Sequence, residues 1–97
     1  TICIWSHLKI EEIVFIKNGY DGFFNTQLNI YLKNNDIKNI YIGGLLTGVC
    51  VLNTIFSGFN LGYRIILIEN CCSDRSKERH KFVITNYSNY LFLTEKI

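Results

Sequence analysis

The stretch that decides the fold is residues 38–61, KNIYIGGLLTGVCVLNTIFSGFNL. Its first part, residues 38–45, is a short apolar run that ends in glycines, which is typical of a buried strand. From Gly48 to Leu61 the apolar residues recur at helical spacing and form one stripe: Val51, Leu52, Ile55, Phe56 and Phe59. A strand that leads directly into an amphipathic helix predicts one unit of an α/β fold.

The same alternation continues on both sides of this unit. It predicts three further strands and two further helices: strands at residues 12–17, 63–69 and 91–94, and helices from about Thr26 to residue 34 and over residues 76–88. Thr26 is the expected N-cap of the first helix, and Gly62 is the expected left-handed residue after the central one. Apolar strands alternating with helices predict an open parallel sheet with helices on both faces, a Rossmann-like three-layer arrangement.

The composition is that of a globular chain with little net charge. Of the 97 residues, 48% are hydrophobic and 19% are charged, and the formal net charge is +2. A nucleic-acid partner is therefore not expected. No stretch approaches the roughly 20 apolar residues that span a bilayer, and the first ten residues lack the layout of a signal peptide. We expect no membrane partner, a cytoplasmic protein, and reduced thiols at its four cysteines, with Cys71 and Cys72 as small buried residues.

Cys50 and Lys17 are the residues on which a catalytic site is predicted. In open α/β sheets, ligands bind beyond the carboxyl ends of the strands. Lys17 closes the first predicted strand, and Cys50 falls in the first turn of the helix after the second one. Thiolate is the reactive form of cysteine, and both a helix N-terminus and a nearby ammonium stabilise it. The alternative, which these residues alone favour, is a buried cysteine and a solvated lysine.

Motifs around both residues resemble those of one enzyme family. GLLTGVCV, residues 44–51, resembles the Gly-x-x-Thr-x-x-Cys-Val signature of the isochorismatase-like cysteine hydrolases, which include nicotinamidases, N-carbamoylsarcosine amidases and ureidoacrylate amidohydrolases. IKNGYDGFFNTQL resembles the family's Lys-x-x-Tyr-x-x-Phe-x-x-Thr-x-Leu segment, carried here by Lys17, Tyr20, Phe23, Thr26 and Leu28. Thr54, Gly62-Tyr63 and a stretch ending in His80, expected to be a hydrogen-bonded structural residue, fit as well.

The resemblance implies covalent catalysis by an Asp–Lys–Cys triad on a small-molecule amide substrate. Cys50 would attack the amide carbonyl and form a thioester, and Lys17 would hold the triad together and favour the negative charges. The resemblance also implies a cis peptide bond between Leu45 and Leu46. The N–H groups of Leu46 and Cys50 would then form the oxyanion hole.

Tyr20 and Phe23 are predicted to line the substrate pocket. No cofactor is expected, and no metal, because the Asp-x-His pattern of metal-dependent nicotinamidases and the CxxC and HExxH motifs do not occur. The triad aspartate is not found: the family places it after an apolar stretch, and nothing in residues 1–16 matches. Asp21 is expected to be a turn residue. The general base is therefore expected either in a preceding portion or not at all.

The predicted strands correspond to the third through sixth of the six that the family arranges in the order 3-2-1-4-5-6. Residues 1–97 are therefore expected to be the C-terminal part of a single isochorismatase-like hydrolase domain that lacks its first two strands, and to belong to a homo-oligomer. The leading hypothesis is hydrolysis of a small carboxamide or carbamoyl C–N bond through a cysteine thioester. The alternatives are a catalytically incomplete relative with a structural, oligomerisation or ligand-binding role, and a doubly wound domain whose cysteine only packs.

Overall fold

Three helices and three strands are formed in the part of the chain that the computed structural model describes, residues 13–97. In chain order they are α1 (Leu28–Asn34), β1 (Asn39–Leu45), α2 (Leu52–Asn60), β2 (Arg64–Ser73), α3 (Lys77–Tyr87) and β3 (Leu93–Glu95). A π-helical segment, Thr47–Val51, connects β1 to α2. The predicted α/β class is confirmed. Within residues 13–97, no helix has the length and apolarity needed to cross a membrane.

The strands form one parallel sheet in the order β1-β2-β3. The pairing of β1 with β2 is regular as far as Ile42 opposite Leu67, and then it shifts so that Gly44 lies opposite Cys72. Between these two pairs, the chain advances by five residues on β2 but by only two on β1. Such irregularities bend a strand and change the direction of the residues after it. This one lies at the carboxyl end of β1, directly before the π-helical segment.

The predicted strand at residues 12–17 is wrong for the described part of that range. Residues 13–17 belong to no strand, and Ile13, Val14 and Ile16 are 51%, 74% and 82% exposed. A strand exists only where a neighbour completes its backbone hydrogen bonds, and an apolar run cannot itself supply that neighbour. Glu12 lies outside the described residues.

The core lies between the helical segments and one face of the sheet. Side chains that alternate along β1 and β2 pack with those of the helices: Ile40, Ile42, Ile65 and Leu67 with Leu28, Leu32, Val51, Ile55 and Val83. Ile55 and Leu67 are fully buried, and each such side chain contributes roughly 1.5–3 kcal/mol to stability. Ile66 and Ile68 are buried too, so β2 is covered on both faces, as strands of parallel sheets usually are.

Gly62 ends α2 as predicted. Its φ is +94°, a left-handed conformation that a residue without Cβ adopts at little cost. The N–H of Gly62 donates to the C=O of Phe59, and that of Tyr63 to the C=O of Gly58, both at 3.0 Å. This pair of bonds is a Schellman motif.

The predicted N-cap of α1 is wrong by one residue. Gln27, not Thr26, is the residue that precedes the helix, and the side chain of Gln27 makes no capping hydrogen bond. The hydroxyl of Thr26 donates instead to the C=O of Gly22 at 2.6 Å. The same hydroxyl accepts the N–H of Leu28, the first residue of α1, at 3.4 Å. Thr26 therefore joins the loop to the start of α1 without being its N-cap residue.

Candidate active site

Cys50 lies in the connection where β1 passes into the π-helical segment. The peptide bond between Leu45 and Leu46 is cis, at the position where the resemblance implies one. The N–H of Val51 donates to the C=O of Leu46, five residues back, at 3.2 Å. The sequence predicts Cys50 in an α-helical turn, but it lies in the π-helical segment, and α2 begins only at Leu52. Single π-helical turns are rare and occur frequently at functional sites.

Asp74 and His80 are hydrogen-bonded to the start of the π-helical segment. Asp74 lies between β2 and α3, and His80 lies in α3. Oδ2 of Asp74 accepts the N–H of Gly48 at 2.7 Å, as a helix N-cap does. Oγ1 of Thr47, which is fully buried, lies 2.7 Å from Nδ1 of His80, so His80 is the hydrogen-bonded structural residue that was expected. Sequence reasoning missed Asp74. The available signal is its place directly after β2, whose carboxyl end lies beside that of β1.

Asp74 is held in its charged form. Burial raises the pKa of this carboxyl, but hydrogen bonds from the N–H groups of Arg75 and Gly48 and the positive charges of Arg75 and Arg79 outweigh burial and leave the pKa below its ordinary value. A negative charge at the amino end of a helical segment is favourable. Asp74 therefore stabilises the connection that carries Cys50.

One small cleft at the carboxyl end of β1 brings Cys50 and Lys17 together. It is lined by the last residues of β1, by Lys17 and by the start of the following helical segments: Ile42, Gly43, Gly44, Leu45, Cys50, Val51 and Thr54. Cys50 and Lys17 are both partly exposed. Nζ of Lys17 donates to the C=O of Gly19 at 2.8 Å. An ammonium has three N–H donors, and this bond uses one of them.

Tyr20 and Phe23, predicted to line a substrate pocket, do not line this cleft. Tyr20 is 63% exposed, whereas Phe23 is 8% exposed and stacks on Tyr63 with 5.7 Å between ring centroids. Phe23 belongs to the core, where its ring and Ile65 both pack beside Gly58: a Cβ at Gly58 would lie 2.8 Å from Cδ1 of Ile65 and 3.2 Å from the ring. A role of either residue in binding substrate stays a prediction.

The described residues that line the cleft include no carboxylate. Asp21 is a turn residue, as expected, since its Oδ1 accepts the N–H of Phe23 two residues later at 2.8 Å. Across residues 13–97, no three His, Cys, Asp or Glu side chains are grouped as metal ligands would be. Trp5 and His7 lie outside the described residues.

Cys71 and Cys72 do not follow the third predicted strand but lie inside β2, which extends to Ser73. Both are half-buried, and Cys72 packs against the core. Burial raises the pKa of Cys72 to about 11; a hydrogen bond with the backbone of Gly44 opposes this shift, and the charge of Cys71 adds to it. Cys72 is therefore a protonated thiol at neutral pH.

Comparison with known proteins agrees with the sequence motifs. The family model described as "Isochorismatase domain" matches residues 6–95. Among curated proteins, the chain is similar to the ureidoacrylate amidohydrolase RutB of Acinetobacter baylyi, with 34% identity over 83 residues. That match covers 84% of this chain and 34% of the relative.

Solved structures show the same similarity in three dimensions. The nicotinamidase SaPncA from Staphylococcus aureus superposes with a TM-score of 0.80 at 31% identity, covering 86% of this chain and 52% of that one. The N-carbamoylsarcosine amidase from Thermoplasma acidophilum gives a TM-score of 0.80 at 27% identity, covering 92% and 50%. The chain thus spans about a third of the curated relative and about half of each of these two structures.

Proposed function

Because the chain belongs to the isochorismatase family, we propose that it works as part of a hydrolase that cleaves the C–N bond of a small carboxamide or carbamoyl compound through a thioester on Cys50. The observation that carries the proposal is the cleft that Cys50 and Lys17 line together. Sheets of this kind bind ligands at the carboxyl ends of their strands. A partly exposed thiol in a cleft with an ammonium is the arrangement that nucleophilic acyl transfer uses.

In the proposed reaction the sulfur of Cys50 attacks the carbonyl carbon of the substrate. As the C–S bond forms, negative charge moves onto the carbonyl oxygen, where the N–H groups of Leu46 and Cys50 stabilise it. The C–N bond then breaks, and the nitrogen leaves as ammonia or an amine after taking up a proton. Water hydrolyses the thioester, which releases the acid or carbamate and restores the thiol.

Lys17 supplies positive charge to the anionic groups of this reaction, and the proton transfers need a separate acid and base. The family resemblance assigns them to an aspartate. The described lining of the cleft has no carboxylate, and the chain spans about half of its structural relatives. We propose that the base lies outside the described residues; the alternative is that the protein lacks it.

We propose a ureido or carbamoyl compound as the substrate, in preference to a pyridine carboxamide. The segment YDGFFNT, residues 20–26, favours this branch, and the curated relative with 34% identity is a ureidoacrylate amidohydrolase. Steady-state kinetics of the full-length protein on a ureido acid and on nicotinamide test the choice. A higher kcat/KM for nicotinamide would reverse it.

Alkylation tests the proposed role of Cys50. The full-length protein is treated with iodoacetamide at pH 6, and its cysteines are identified by mass spectrometry. Because thiolate is the reacting form, an activated Cys50 is modified well before Cys3, Cys71 and Cys72. Equal modification of all four cysteines would contradict the proposal. Incubation with substrate should also yield an acyl adduct on Cys50 in the intact-mass spectrum.

A second candidate is a catalytically incomplete relative that binds a ligand or supports assembly. The cleft without a carboxylate among the described residues favours it. Selective alkylation of Cys50 together with release of an amine from any ureido or carboxamide compound supports the hydrolase. Unselective alkylation without turnover supports the second candidate.

A further inference from the structure

We propose that Thr54 is a positioning residue, whose hydroxyl joins the loop that carries Lys17 to the backbone of Cys50 and so keeps the two residues in one cleft. This loop, the lysine loop, comprises residues 17–26 and belongs to no helix or strand. The inference rests on the proposed function. It concerns how the site is held together and not which groups react.

The hydroxyl of Thr54 makes two hydrogen bonds in opposite directions. It donates to the C=O of Cys50 at 2.8 Å and accepts the N–H of Gly22 in the lysine loop at 2.9 Å. Thr54 is only 3% exposed, so water offers little substitute for either bond. One oxygen atom therefore links the loop directly to the residue proposed as nucleophile.

Two further contacts hold the lysine loop on the same face of α2. The carboxylate of Asp21 accepts the hydroxyl of Ser57, and the ring of Phe23 packs beside Gly58. Residues three and four apart on a helix lie on one face. Thr54, Ser57 and Gly58 thus bind three successive loop residues.

Thr54 differs from the other two attachments because its hydroxyl is also hydrogen-bonded to the backbone of Cys50. Lys17 is bound within its own loop, through Nζ and the C=O of Gly19. This bond makes the position of its ammonium depend on the position of the loop. Loss of the bond between Thr54 and Gly22 would free the loop at the point where it meets the nucleophile.

The competing explanation is a purely structural threonine. Side chains of Thr often donate to the C=O four residues earlier in a helix, and such a bond affects stability alone. A positioning role predicts in addition that the reactivity of Cys50 depends on the hydroxyl. Measuring the reactivity of Cys50 and the stability of the protein on the same variants distinguishes the two explanations.

The experiment compares Thr54→Val, Thr54→Ser and Thr85→Val in the full-length protein. Valine keeps the shape of threonine without its hydrogen bonds, serine keeps the hydroxyl, and Thr85 is an exposed residue of α3 that receives the same change. The readouts are the melting temperature and the rate constant for alkylation of Cys50 between pH 5 and pH 10. We expect T54V to slow alkylation at pH 6 about tenfold and to move its pH profile upward, because small displacements between cooperating groups are costly.

T54S should restore the rate constant to within about twofold of the wild type, and T85V should not change it. An unchanged pH profile in folded T54V, or a T54S variant as slow as T54V, would overturn the role of Thr54. Should T54V not fold, Ser57→Ala loosens the same loop and should slow alkylation about threefold; a wild-type rate would overturn the proposal. If Cys50 of the wild type is alkylated no faster than the other cysteines, the proposed function fails and this inference with it.

Discussion

Two cysteines near the carboxyl ends of neighbouring strands differ in what surrounds them. Cys72 lies within β2, opposite Gly44, packs against the core, and has its pKa raised to about 11 by burial. Cys50 lies just beyond β1 in the π-helical segment and shares a cleft with Lys17. Both are half-buried. The exposed fraction of the side chain therefore does not distinguish a packing thiol from a candidate nucleophile. The difference is that Cys72 lies within a strand and Cys50 lies beyond the end of one.

The largest expected difference between the two cysteines is in catalysis. Cys50→Ser should lower kcat for amide hydrolysis at least about a thousandfold, because it removes the proposed nucleophile. Cys72→Ala, the matched control, should keep kcat within about threefold. Amine release by the full-length variants gives both values. Equal losses in the two variants would remove the distinction between the thiols.

The pH dependence of alkylation tests whether burial keeps the thiol of Cys72 protonated. With a pKa of about 11 against an ordinary 9.0, its thiolate fraction at pH 8 is about a hundredfold below that of an ordinary thiol. At pH 8 the rate of alkylation of Cys72 should therefore be lower in the folded protein than in the guanidinium-unfolded protein by about this factor. The rate in the folded protein should rise about tenfold for each pH unit up to about pH 10. A midpoint below pH 9 for Cys72 would contradict the burial argument.

Removal of the ammonium tests the cleft of Cys50. Lys17→Met should lower kcat/KM about thirtyfold, which corresponds to about 2 kcal/mol of lost charge stabilisation. The control is Lys38→Met, because Lys38 is exposed and precedes the opposite end of β1. Steady-state kinetics measure both. A loss in K38M equal to that in K17M would show a general charge effect and not a local one.

The smallest expected effect concerns the cap on the connection that carries Cys50. Asp74→Ala should lower the free energy of unfolding by about 1 kcal/mol, because the N–H of Gly48 loses its partner. The pKa of Asp74 lies below its ordinary value, so this stabilisation is present above about pH 4 and is lost as the pH falls further. Denaturant titrations at pH 7 and pH 3 measure the change. Glu95→Ala, at the exposed end of β3, is the control.

The elements of the sheet and the placement of Cys50 could be predicted because they depend on local patterns. The apolar runs at residues 38–45 and 63–69 and the stripe after Gly48 place two strands and a helix close to β1, β2 and α2. The left-handed conformation of Gly62 also results from its position after an amphipathic helix. The strand predicted at residues 12–17 is absent from its described part, residues 13–17, because pairing depends on a neighbour and not on the run itself.

The finer structure of the site depends on contacts between distant parts of the chain. A π-helical segment of five residues is too short to change the apolar periodicity, so the sequence around Cys50 predicts an ordinary α-helix. Asp74 reaches Gly48 across 26 positions, and Gly22 reaches Thr54 across 32. The place of Asp74 directly after a strand marks it as a candidate, but no local pattern specifies the partner in either contact. Phe23 matches a family motif, but the motif does not distinguish a pocket side chain from one that packs on Gly58.

The contact between Thr47 and His80 makes the connection around Cys50 observable without an added label. His80 is one of two histidines in the chain, and its Nδ1 lies 2.7 Å from the hydroxyl of a residue three positions before Cys50. The chemical shifts of an imidazole ring respond to the tautomer and to the hydrogen bond at each nitrogen. Long-range nitrogen–proton NMR spectra of His80 therefore offer a native readout of whether modification at Cys50 reorganises the backbone that holds it.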